Sequence, residues 1–203
     1  GERIDKHYLL TAAHCAVNVG EEYWREAKNP RTGEFEYQDL GKMRRTGFEG
    51  SPKVDTEAIL LSGEADGWSP RSIHLERKAS QPVTGVAVPT PGLIVCASGV
   101  TTNRVVCGPV KGPPEPVPHS TIPATSWRVP VDILSEPGDS GAPIWQAGTG
   151  NAVGVLSGGP FPVYIAPLLP MPTSDPYEAS LGAQAPGALA KLGFAPGNLS
   201  LAR

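Results

Sequence analysis

The sequence predicts an all-β protein, a barrel or sandwich of short strands, and three observations carry that prediction. Ten apolar runs of strand length are bounded by Gly, Pro, Ser, Asn or Asp. The 24 glycines and 23 prolines among 203 residues follow no period, so they punctuate the chain rather than build a repeating fibre. Helical spacing occurs once, in GALAKLGF near the end, where Ala188, Leu189 and Leu192 share a face and predict a short C-terminal helix.

In chain order the strand candidates are HYLLTAA, AILLSG, RSIHL, TGVAV, LIVCAS, VVCGPV, SWRVPVDIL, APIW, AVGVLSG and PVYIAPL. Residues 21 to 50 are charged and aromatic with weak periodicity, and read as a surface excursion of mixed structure. The six prolines from Pro113 to Pro130 deny a ladder its amide donors, so that stretch reads as an exposed connection inside one domain. No internal repeat is visible. A net charge of -3 without a Lys/Arg block offers no field for a phosphate backbone, and nucleic acid is excluded as an expected partner. The apolar runs fall short of the roughly 20 residues a membrane helix needs, so no membrane partner is expected either.

Two stretches carry chemistry. SEPGDSGAPIW sets Asp139 and Ser140 between Gly138 and Gly141 and runs straight into an apolar strand. Turn chemistry alone explains such a cluster. It also suits an acyl-transfer site, because glycines let backbone amides converge beside a serine oxygen. Ser140 needs a base, and all four histidines, His7, His14, His74 and His119, precede it. That order excludes the α/β-hydrolase plan, in which the histidine follows the serine. His14 closes the strand YLLTAAHC, whose small residues leave an imidazole face open.

With LTAAHC and GDSGAP together, the chain resembles the chymotrypsin-like serine proteases. EPGDSG, VCASGVTTNRVVCG and VGVLSGG are similar to the bacterial streptogrisin and α-lytic branch, over Tyr8 to Leu169. The resemblance implies two six-stranded antiparallel Greek-key barrels, about residues 1–85 and 86–203 of one peptidase domain. Only 13 residues precede His14, so the first barrel is expected to be incomplete at its N-terminus. It implies Ser140 as nucleophile, His14 as general base, and the amides of Gly138 and Ser140 as an oxyanion hole. VDTEAILL offers Asp55 or Glu57 as the acid that orients His14; Asp55 matches the family's short side chain, whereas a buried Glu57 needs a partner.

Ser157, Gly158 and Gly159 resemble the strand that pairs with a substrate backbone, with Asp132, Ile133 and Leu134 near the pocket wall. Cys96 and Cys107, eleven positions apart, suit a disulfide across a hairpin; no C-x-x-C pair and no nearby histidine completes a metal site. Cys15 is left over, and its expected partner would lie upstream of residue 1. Where relatives carry a glycine after two threonines this chain has Asn103, which tolerates positive φ. Where they carry an arginine it has Ala97, so Asp139 must find Arg104 or local amides. The reading is a secreted, monomeric serine endopeptidase acting on peptides without cofactor or metal. A silent binding module or an esterase on the same fold are its alternatives.

Overall fold

The computed structural model describes residues 7–16, 18–62, 72–74, 80–119, 125–159, 162–172, 184–185 and 187–194. The first half is an antiparallel sheet of β1 (Tyr8–Thr11), β2 (Glu22–Lys28), β3 (Phe35–Thr46) and β4 (Glu57–Leu61), in the order β1-β4-β3-β2. Residues 21 to 50 are therefore mostly a long β-ribbon rather than mixed structure. Their period of two escapes a hydrophobicity reading because neither face is apolar: in β2 the exposed positions are Glu22, Trp24, Glu26 and Lys28, and the alternate ones are only half-buried. A short pair, β5 (Ser72–His74) and β6 (Ser80–Pro82), and β7 (Gly85–Val86) follow.

The second half is a closed barrel. Its strands are β8 (Ile94–Ser98), β9 (Val105–Pro109), β11 (Thr125–Val131), β12 (Pro143–Gln146), β13 (Asn151–Gly158) and β14 (Val163–Pro167), hydrogen-bonded in the order β11-β14-β13-β12-β8-β9. The ends of that ribbon meet where Val110 bridges Val131, with Lys111 N–H donating to the Pro130 carbonyl at 2.9 Å and Asp132 N–H to that of Pro109 at 3.0 Å. There the two ends are bonded to each other rather than left open. Inside lie Val95, Val129, Val131, Ile144, Val153 and Ile165, the β-branched residues that alternate along these strands.

The proline-rich stretch is not wholly a connection. Glu115–Pro118 forms β10, an outer strand paired to β11 with Pro116 opposite Trp127 and Pro118 opposite Thr125. Prolines are compatible with an outer strand because the missing donors need face no neighbour. Beyond the barrel, β15 (Met171–Pro172) pairs with β16 (Gln184–Ala185). Helix α1 (Ala188–Lys191) buries Ala188 and Leu189, and Leu192 just beyond it, as the spacing predicts. Ala188 and Leu189 pack with Val54, Val155 and Leu168, tying the end of the chain to both halves.

Candidate active site

Strand register brings the first two side chains together. β1 and β4 pair with Thr11 opposite Glu57, so the residues just after Thr11 run beside those just before Glu57. One turn of 3₁₀ helix, Ala13–Cys15, then presents His14 to Asp55. Asp55 is fully buried; its Oδ1 accepts the His14 backbone N–H at 2.9 Å and its Oδ2 faces His14 Nδ1 at 2.7 Å. His14 Nε2 in turn lies 2.8 Å from Ser140 Oγ. Ser157 on β13 adds a hydroxyl donor to Asp55 Oδ2. Burial opposes ionisation of Asp55, but the bonds and charge of His14 and the Ser157 bond outweigh it and hold the carboxyl below its ordinary range.

Ser140 stands on a turn that two glycines permit. Gly138 and Gly141 have φ of +103° and +85°, values that L side chains rarely adopt. A Cβ on Gly138 would collide with Thr101 Oγ1, and one on Gly141 with Thr11 Oγ1, where the second half touches the first. Gly141 N–H donates to the Leu156 carbonyl and Leu156 N–H to that of Ala142, both at 2.8 Å, which fastens the turn to the barrel. Among the described residues the amides of Gly138 and Ser140 meet no acceptor.

Asp139, also buried, resolves the question left by Ala97. Its carboxylate accepts the amides of Thr101 at 2.8 Å, Thr102 at 3.2 Å and Glu136 at 3.0 Å, so local amides rather than Arg104 satisfy it. Burial alone would raise its pKa; those bonds overcome the penalty and lower it. Asn103, in the same hairpin, has φ +48° as its identity allows. Cys96 and Cys107 sit opposite each other in β8 and β9 and form a disulfide, while Cys15 is a free, exposed thiol.

Glu57 is fully buried but does not meet His14. It accepts the Tyr23 hydroxyl from β2, and its Oε2 has no partner among the described residues. Burial first, then the neighbouring charges of Asp55 and Glu21, push its pKa up to about 7, against the bond from Tyr23. Gly158 and Gly159 follow Ser157 with φ of +82° and +124°. A Cβ on Gly158 would come 3.4 Å from Ser140 Oγ, so a side chain there would crowd the serine. Ile133, Leu134 and Asp132 line a cavity of about 420 Å³ with Val106 and Val163. The Asp132 carboxylate is about half exposed and pairs with Lys111 Nζ at 3.3 Å.

Three residues escape the sequence reading. His119 lies with Nε2 2.9 Å from Ser126 Oγ and 3.8 Å from Asp55 Oδ2, its ring 5.6 Å from that of His14 and 5.3 Å from Phe48. Burial lowers its pKa to about 4, against the pull of Asp55 and with the push of Arg128, so it is neutral at pH 7. Tyr23 and Arg128 are the others; the signal for Arg128 is a cation inside an otherwise apolar strand. His14, Asp55 and His119 offer ligand atoms within 4.8 Å of one another. Those atoms are already engaged with each other and with Ser126, and Arg128 disfavours a further cation there.

No family model matches the chain, and no curated protein matches its sequence. Its fold does match solved structures. Thermobifida fusca protease A is 22% identical over 90% of this chain and 86% of that one, with a TM-score of 0.62. A homologue of alpha-lytic protease is 23% identical over 91% and 88%, also at 0.62. Cellulomonas bogoriensis chymotrypsin is 21% identical over 87% and 84%, at 0.59. At these identities the likeness establishes the chymotrypsin-like double-barrel fold.

Proposed function

We propose that this protein is a serine endopeptidase that cleaves peptide bonds through an acyl-enzyme on Ser140. The observation that carries the reading is one continuous relay: Ser140 Oγ, His14 Nε2 at 2.8 Å, then His14 Nδ1 and Asp55 Oδ2 at 2.7 Å. With Nδ1–H donating to buried, ionised Asp55, Nε2 keeps its lone pair for the serine proton. Ser140 Oγ attacks the carbonyl carbon as His14 takes that proton. The oxyanion formed is met by the Gly138 and Ser140 amides, which have no other acceptor among the described residues. His14 then gives its proton to the leaving amine, and water repeats the sequence on the ester.

Ser157, Gly158 and Gly159 are the proposed seat of the substrate backbone, with glycines keeping the approach to Ser140 open. The Cys96–Cys107 disulfide suits an oxidising compartment, which supports secretion. No helix among the described residues is long and apolar enough to cross a membrane. A fluorophosphonate probe tests the assignment. Ser140 is expected to be labelled and a peptide library cleaved, with both lost in Ser140→Ala, for a fall in kcat of about a millionfold. Ester turnover without peptide cleavage would favour an esterase, and absence of labelling a binding module.

A further inference from the structure

The paired strands β10 and β11 bring Arg128 to Ser157, which bonds Asp55. Arg128, on β11, is 4% exposed and is the only basic side chain among the buried described residues. Two carbonyls from the end of β10 fix it, since Nη2 donates to Val117 O at 3.0 Å and Pro118 O at 2.9 Å. Its guanidinium lies 5.3 Å over the ring of Tyr164, whose hydroxyl donates to Glu115 at 2.9 Å at the start of the same strand. Thus anchored from β10 and β14, Arg128 points Nη1 at Ser157 Oγ, 3.4 Å away.

The direction of those bonds matters. A guanidinium has donors only, whereas a serine hydroxyl has one proton and two lone pairs and rotates to suit its neighbours. With Arg128 donating into Ser157 Oγ, the single serine proton is free to face only an acceptor, and the acceptor within reach is Asp55 Oδ2. We propose that Arg128 is a positioning residue that commits the Ser157 proton to Asp55 and thereby holds the carboxylate where His14 Nδ1–H meets it. Its bearing on catalysis rests on the endopeptidase reading; its effect on His14 does not.

The ionisable groups around Asp55 are His14 and Cys15 beyond β1, Glu57 on β4 with Tyr23 behind it, His119 beyond β10, and Arg128. Only Arg128 among them carries a permanent charge, so its donation to Ser157 is in place at every pH. The test follows the ring resonances of His14 by NMR across pH in the intact chain. Arg128→Met is expected to move the His14 midpoint up by about half a unit to one unit, because a Ser157 proton no longer committed to Asp55 leaves the carboxylate's charge less satisfied and the imidazolium beside it more stable. In a Ser157→Ala background the same substitution should move it less than half as far, the mark of action through Ser157. Arg128→Lys should restore most of the wild-type midpoint. If Arg128→Met does not fold, Arg128→Gln, shorter but polar, removes the charge and the reach to Ser157, and the same upward shift is expected. An unmoved midpoint, or equal shifts in both backgrounds, overturns the proposal. Failure of wild-type Ser140 to react with a fluorophosphonate overturns the endopeptidase reading instead, and the His14 midpoint still decides the role of Arg128.

Discussion

The half of the molecule that carries Ser140 and the half that carries His14 and Asp55 are built on different terms. β8 to β14 close around one cluster of Val, Ile and Leu, and the serine turn is bonded directly to that barrel. Among the described residues β1 to β4 form a four-stranded sheet whose ribbon exposes Trp24, Phe35 and Tyr37. Val54, next to Asp55, packs with Val155, Leu168 and Leu189. From the second half, Ser157 bonds the Asp55 carboxylate and His119, itself bonded to Ser126, lies 3.8 Å from it. The difference teaches that Asp55, bonded twice by His14 within its own half, is also held by the barrel opposite. A sheet with an exposed ribbon can still fix the place of polar side chains if its last residues dock on a well-packed neighbour.

The sharpest way to break this comparison uses two acids of the same strand end. Asp55→Asn is expected to lower kcat by about ten-thousandfold, since the amide stabilises the wrong imidazole tautomer. Glu57→Gln, equally buried but bonded to Tyr23 within the first sheet, should stay within about tenfold of wild type. Similar losses in both would mean that the two halves contribute alike. Steady-state hydrolysis of a peptide substrate measures both.

Stability offers the next contrast. Ile165 is fully buried in the barrel and Leu9 is largely exposed on β1. Ile165→Ala should cost about 2 to 5 kcal/mol in urea unfolding, and Leu9→Ala under about 0.5 kcal/mol. Equal costs would deny that the barrel holds the core.

The smallest effect depends on pH. Folding raises the Glu57 pKa from 4.5 to about 7, so the folded state holds a proton that the unfolded state has released between those values. Stability from this group is therefore fully present below about pH 4.5 and declines as pH rises to 7. Glu57→Gln removes the decline. Its melting temperature relative to wild type should climb between pH 4.5 and 8, by about 2 to 4 °C for each kcal/mol regained. A constant difference across that range would show that Glu57 does not titrate there.

Much of this was legible in the residues. Short apolar runs between Gly and Pro predicted strands, the spacing of Ala188, Leu189 and Leu192 predicted the last helix, and the glycines of GDSG predicted a turn that no other residue fits. Each is a local demand on φ or on one face of one element, and local demands are written in neighbouring residues. Asn103 is of the same kind. The long ribbon of residues 21 to 50 was missed because strand alternation shows only when one face is apolar.

What tertiary structure alone decided is which groups meet. Asp55 and Glu57 stand two apart and are equally acidic on paper. The β1–β4 register carries His14 to one, and β2 carries Tyr23 to the other. Asp139 found amides 37 and 38 residues away, and Arg128 found Ser157 across 29. Such pairings depend on how strands are ordered and closed, since contacts distant in sequence are set by the packing of whole elements and by no residue singly.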